Sequence, residues 1–281
     1  MDRELVFLIL ASLTLGPLWL RAGIRPAVSA PAPSACRLEQ DCWRSLWAPL
    51  LPSAIMFGAL VGWAVIEPDD AELLPLPLIA IGMPFLLVSM RATLRALWGL
   101  RRARGVATAA TIGILRPRVV IAPEFLRAID DTARDAVRAH EAAHARHRDP
   151  LRVWAAQFAT DVQWPGRGAT GRFAQWRHAL ELARDEEVRR RGVDGADLAA
   201  AVIAALQLGH ARASQAVAIV SSHERVRDRI ATLLAPLPAI ERDWPPPRSL
   251  RASAIAGPLG AVMFGATFGE AIVRALVQAI P

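Results

Sequence analysis

The stretch "DAVRAHEAAHARHRDP", residues 135–150, sets His140 and His144 four positions apart, with Glu141 directly after the first. Residues four apart share one face of an α-helix, so both imidazoles can address a single ion. Glu141 then lies on the adjoining flank. There it need not bind the ion and can take a proton from a water in the ion's open coordination position. The spacing therefore suits zinc-assisted hydrolysis. The plain alternative is a solvated charged helix with incidental histidines. All six histidines of the chain fall between 140 and 223.

A catalytic zinc wants three protein ligands, and the third must come from elsewhere in the chain. "HALELARDEEVRR", residues 178–190, offers Glu181 and, one helical turn later, Asp185. Glu181 would complete the ligand set. Asp185 would hydrogen-bond the outer nitrogen of a ligand histidine and fix its tautomer. Without the histidine pair, both acids would be read as partners of neighbouring arginines such as Arg177 and Arg184.

The elements that must position these groups are mostly helical. "DDTARD" before the histidine pair supplies an N-cap and first-turn acids, predicting a helix over 131–148 that Pro150 ends. A second helix is expected over 151–162, then a loop at "WPGRGATG". A long helix through 172–190 closes with Gly192 as its C-cap. Helices near 196–208 and 226–234 follow. Upstream, "GVATAATIGILRPRVVIAPEFL" reads as extended chain, with a strand at 118–122 and another over 107–114. The first of these is a candidate edge for binding an extended peptide by strand addition.

Hydrophobic residues make up 53% of the 281 and gather in blocks, which is the pattern of a chain that crosses a bilayer. Uncharged runs of 16, 22 and 18 residues lie between Glu4 and Arg21, Arg44 and Glu67, and Glu72 and Arg91, and a fourth runs from Ala252 to Phe268. The first could instead be a signal peptide, given "AVSAPAPSA" downstream, but "MDRE" carries no net positive charge ahead of it. Arginines flank the runs unevenly: four between 21 and 44, none in "EPDDAE", five in 91–104. By the positive-inside rule both termini lie outside and residues 105–250 are cytoplasmic. The ionised residues around the histidine pair, Arg134, Asp135, Arg138, Arg146, Arg148 and Asp149, keep that helix out of the hydrocarbon.

The pI near 11 would suit nucleic acid. The chain has no lysine, however, and many of its arginines flank the apolar runs, so juxtamembrane loops on an anionic leaflet explain the charge and no direct nucleic-acid binding is expected. Cys36 and Cys42 are the only cysteines. In a cytoplasmic loop they would be reduced, and in an inverted topology they would be free to form a disulfide.

With these motifs in view, the order of apolar runs, "RPRVVIAPEFL", "HEAAHARHRD" and "LELARDEEV" resembles the BlaR/MecR antirepressor zinc peptidases, and more distantly the HtpX and CAAX prenyl proteases. The likeness is specific over about 116–190. It implies a mainly α protein of four transmembrane helices, with a cytoplasmic zincin-like α+β metalloprotease domain inserted between the third and fourth. Residues 1–104 would hold three spans (about 5–20, 45–66 and 73–90), 105–250 the peptidase domain, and 251–281 the fourth span. It implies Zn2+ on His140, His144 and Glu181, Glu141 as general base, and Asp185 behind a ligand. Asp149 matches a family aspartate of structural role. In "SSHERVRDRI" the resemblance gives His223 the task of stabilising the tetrahedral intermediate.

Two departures stand out. The family has cysteine where Arg184 stands, which is expected to affect packing more than chemistry. The sensor-transducers also carry a penicillin-binding domain after the fourth span, so a β-lactam signal is not expected to be read by this chain alone.

The implied activity is a zinc metalloendopeptidase of the bacterial inner membrane, cleaving a cytosolic or membrane-associated protein such as a transcriptional repressor. General quality control of membrane proteins is the nearest alternative. A catalytically inactive regulator that keeps the fold to bind a cytosolic partner is the rival from another class. A transporter is disfavoured because charge in the runs is confined to Glu270 and Arg274, which pair at helical spacing.

Overall fold

The computed structural model describes residues 34–50, 76–101, 108–164, 166–212 and 219–238. The expected spans at 5–20 and 251–281, and most of that at 45–66, lie outside these residues. Among the described residues no helix is long and apolar enough to cross a membrane. The fold is mainly helical, as expected: α1 Ala35–Trp47, α2 Leu76–Arg101, α3 Pro123–Ala128, α4 Asp131–Arg146, α5 Asp149–Val162, α6 Arg167–Arg189, α7 Gly195–Arg212 and α8 Ile219–Leu234, with strands β1 Ala109–Ile112 and β2 Arg118–Ile121.

The helix carrying the histidine pair is α4. Asp130 caps it, accepting from the Ala133 amide at 2.8 Å. Its buried face is Ala133, Ala136, Val137, His140, Glu141, Ala143 and His144, the three- and four-residue spacing of an amphipathic helix. Three of these are alanine, which lets neighbouring helices approach closely. Ala136 and Ala143 meet Val188 of α6, Leu198 of α7 and Leu233 of α8, while Ala133 and Val137 meet Phe125 and Ile129.

Beyond α4, Arg148 turns the chain in the left-handed region at φ 52°, the one non-glycine residue there among the described residues. An L-residue in that conformation costs about 1 kcal/mol. Pro150 then sits in the first turn of α5, where its missing amide is no loss. It opens the next helix as well as marking the exit from α4.

Several elements differ from the sequence expectation, beginning with α3, a short helix at the end of the stretch read as extended. The helix α6 starts at Arg167, so "GATG" is helical and only four residues separate α6 from the end of α5. Tertiary packing overrides the glycines: Ala169 and Arg172 are buried, and Arg172 donates to Gln163 Oε1 at 2.6 Å. The helix α1, placed by the sequence in a connecting loop, belongs to the same core as α5 and α6. Cys42 and Leu46 pack against Trp176 of α6, and the Trp43 and Trp176 rings lie 5.0 Å apart. The buried Glu39 accepts from Trp176 Nε1 at 2.7 Å, and the Ala35 amide donates to Glu186 at 2.6 Å.

Cys36 and Cys42 are both free thiols on α1. Six residues of helix separate them by roughly 9 Å. That exceeds the reach of a disulfide, so their redox state does not report on topology.

The strands form a two-stranded antiparallel sheet, Ala109 opposite Ile121 and Ile112 opposite Arg118. Both strands pack on α4. The strand β1, not β2, runs along the cavity that holds the histidine pair, so the candidate docking edge moves from 118–122 to 109–112.

Candidate metal centre

His140 and His144 project from the buried face of α4 with their Nε2 atoms 3.0 Å apart. Glu181 of α6 brings Oε2 to 3.4 Å from the first and 3.8 Å from the second. Ligand atoms on a tetrahedral ion bonded at 2.0–2.1 Å stand about 3.3 Å from one another. Separations of 3.0, 3.4 and 3.8 Å straddle that value, so the donor set fits a divalent cation in spacing and in chemistry. The two histidines are buried, and the Glu181 side chain keeps 32% of its surface exposed, leaving an approach from the cavity.

Each imidazole has a carboxylate behind it. Asp185, one turn beyond Glu181, brings Oδ1 to 2.9 Å from His140 Nδ1. The distance is that of an ion pair, but the line of approach misses the ring nitrogen's hydrogen-bond direction, leaving Nδ1 without an aligned partner. Asp149 accepts from His144 Nδ1 at 2.9 Å, and this bond is aligned. A carboxylate on Nδ1 holds the proton there and leaves Nε2 as the lone pair facing the cavity.

Glu141 is buried beside the pair. Thr111 of β1 places its hydroxyl 2.8 Å from both Glu141 Oε2 and the Glu141 carbonyl, and its single proton serves one of them at a time.

Arg229 of α8 neutralises the acids. It reaches Glu181 Oε2 at 2.9 Å, grips Asp185 through two nitrogens at 2.6 and 2.9 Å, and donates to His140 Nε2 at 3.2 Å. The pairing of Glu181 and Asp185 with Arg177 and Arg184, which an ordinary exposed helix would show, does not occur. The one arginine serving both comes from another helix.

Charge follows from these contacts. Burial alone would favour neutral Glu181, but Arg229 and the two imidazoles hold its carboxyl well below the ordinary range. Burial likewise opposes ionised Asp185, and Arg229 and His140 outweigh it. Burial disfavours charged His144, yet hydrogen bonds to Asp149 and Glu181 push it up to about 9. Burial acts in the same way on His140, which Asp185 and Glu181 nevertheless raise.

The cavity over the site is open and has a volume of about 620 Å³. Thr111, His140, Glu141 and Glu181 share its wall with apolar residues such as Phe125 and Trp154. His223 falls in α8, six residues before Arg229, but its side chain is not among those described.

Sequence reasoning brought together His140, Glu141, His144, Glu181 and Asp185. It missed Arg229, Thr111 and the contact between Asp149 and His144. For Arg229 a signal existed, since it stands inside the segment that drew attention to His223. For Thr111 there was none, because a threonine in a short strand carries no mark of what its hydroxyl reaches.

Comparison with curated proteins finds no match, and comparison with solved structures finds none either. The family model described as BlaR1 peptidase M56 matches residues 92–233, half of the 281-residue chain, from the later part of α2 through the histidine pair and Glu181 to Leu233 of α8. This chain is therefore a member of the BlaR1 peptidase M56 family.

Proposed function

We propose that the protein is a zinc-dependent endopeptidase attached to the membrane, with His140, His144 and Glu181 as metal ligands and Glu141 as general base. The observation that carries this reading is the convergence of two Nε2 atoms and one carboxylate oxygen within 4.8 Å, beside a buried glutamate that is not part of the trio.

A bound zinc would lower the pKa of a water toward about 7 and polarise the scissile carbonyl. Glu141, held by Thr111, takes the proton from the attacking water and returns it to the leaving amine. Asp149, through its aligned hydrogen bond, keeps His144 turned toward the ion, and Asp185 stands 2.9 Å behind His140 as its ion-pair partner. The outer edge of β1 offers main-chain groups to an extended substrate lying in the cavity. His223 is assigned to oxyanion stabilisation from the sequence match alone.

The outer face of α2 supports attachment to the membrane. Met83, Leu87, Met90, Leu94, Leu97 and Trp98 are exposed in a row, whereas Arg91 and Arg95 turn the other way and pair with Asp161. An apolar stripe of that length on one helix suits lipid, or the neighbouring spans expected at 45–66 and 251–281. In this reading residues 105–250 are cytoplasmic and the substrate is a cytosolic or membrane-associated protein, a transcriptional repressor being the one the resemblance suggests.

The test is hydrolysis of an unstructured protein by the purified, zinc-loaded chain, compared with Glu141→Gln. The variant should bind zinc but lose at least about a hundred-fold in rate. Equal processing by both would end the enzymatic reading.

A further inference from the structure

Asp149 is 2% exposed and receives donors from three directions. His144 Nδ1 and Arg184 Nε both reach Oδ2, at 2.9 and 2.5 Å, and Arg184 Nη2 and Arg152 Nη1 both reach Oδ1, at 2.9 and 3.2 Å. Arg184 is itself buried, 4% exposed, and its remaining nitrogen lies 3.4 Å from Glu187. The grip on Asp149 is thus two-pronged, and it sets the plane of the carboxylate as well as its position.

Nothing else fixes that plane so firmly. Asp149 opens α5 directly after the left-handed Arg148, at a helix start with no side-chain cap. Arg152 is one turn along the same helix, is 25% exposed, and shares its guanidinium with Glu39 of α1. With Arg184 gone, the acceptor for His144 Nδ1 would hang on one partly solvated arginine.

We infer that Arg184 is a positioning residue for the metal site, acting on His144 through Asp149. This rests on the reading of His144 as a metal ligand. Within five residues of α6 the chain then supplies Glu181 to the ion, Asp185 behind His140, and Arg184 behind the acid that orients His144. The expectation that Arg184 bears on packing more than chemistry is too narrow, since its two strongest contacts end on that acid.

The experiment is zinc titration of the full chain, stripped of metal, against a competing chromophoric chelator, with cobalt substitution reporting site geometry by its visible absorption. Arg184→Gln should weaken zinc binding by about ten- to a hundred-fold, the range for losing a group that orients a ligand. Arg184→Lys keeps the charge but not the fork, and should fall between Gln and wild type with an altered cobalt spectrum. Glu187→Gln removes the other partner of Arg184 and should leave both readouts unchanged. If Arg184→Gln does not fold, Arg184→Lys decides alone. Folded Arg184 variants with wild-type zinc affinity and cobalt spectrum would overturn the inference and leave the metallopeptidase reading intact. A wild-type chain that binds no zinc would overturn both.

Discussion

His144 and Asp149 are joined at 2.9 Å across the turn between α4 and α5, five residues apart, with the left-handed Arg148 between them. The turn returns the chain so that the first acid of the new helix meets the outer nitrogen of the last buried histidine of the old one. Replacing Asp149 by Asn keeps the shape but removes the negative charge that favours a proton on Nδ1. Zinc affinity should drop about ten- to a hundred-fold, read by chelator competition. Arg184 would also lose its charged partner, so unfolding measurements should show a loss of about 3 kcal/mol or more.

Thr111 offers a separable test of Glu141. Thr111→Val removes the hydroxyl that touches the glutamate while nearly preserving volume. Turnover should fall about ten-fold, the equivalent of about 1.4 kcal/mol, with zinc affinity unchanged. Thr111→Ser should recover most of the rate. A valine variant with full turnover would show that Glu141 needs no such support.

Metal uptake should release protons. In the metal-free protein His144 titrates at about 9 against an ordinary 6.5, because its bonds to Asp149 and Glu181 outweigh the burial that opposes its charge. A raised folded-state pKa stabilises the protonated fold. That contribution is complete below pH 6.5 and vanishes as pH rises through 9. Zinc requires the neutral imidazole, so apparent affinity should climb with pH across this window by up to about ten-fold per unit for one proton. Calorimetric titration at neutral pH in buffers of different ionisation enthalpy would detect the released proton. An affinity flat across the window would contradict the assignment.

Trp176 joins α6 to α1 and is fully buried. Trp176→Ala should cost about 3–5 kcal/mol of stability and leaves the buried Glu39 one donor short. Denaturant unfolding of the purified chain measures this. A loss below about 1 kcal/mol would show that α1 is only loosely docked.

The sequence made the candidate metal ligands legible because their spacing is local. His140, Glu141 and His144 lie within one helical turn and a residue, and Glu181 and Asp185 repeat the interval. Helical periodicity converts such spacing directly into a shared face. What brings Arg229 to Glu181, Thr111 to Glu141 or Arg184 to Asp149 is tertiary packing over separations of 48, 30 and 35 residues, which no local pattern encodes. The same distinction explains α1. Its polar, cysteine-containing stretch reads as a loop between apolar runs, and only the docking of Trp43 and Leu46 against Trp176 makes it part of the core. Along α2, two of the five arginines counted for orientation, Arg91 and Arg95, are engaged with Asp161, while the apolar row beside them continues to Trp98.

The claim on which the mechanism stands is that a carboxylate from α6 joins two imidazoles from α4 on one ion. Elemental analysis of the full chain after zinc loading and removal of free metal tests it most directly, alongside Glu181→Ala. The account predicts about one zinc per wild-type chain and a large loss in the variant under the same conditions. Wild-type protein that retains no zinc, or a Glu181→Ala variant that holds it as tightly as wild type, would contradict it.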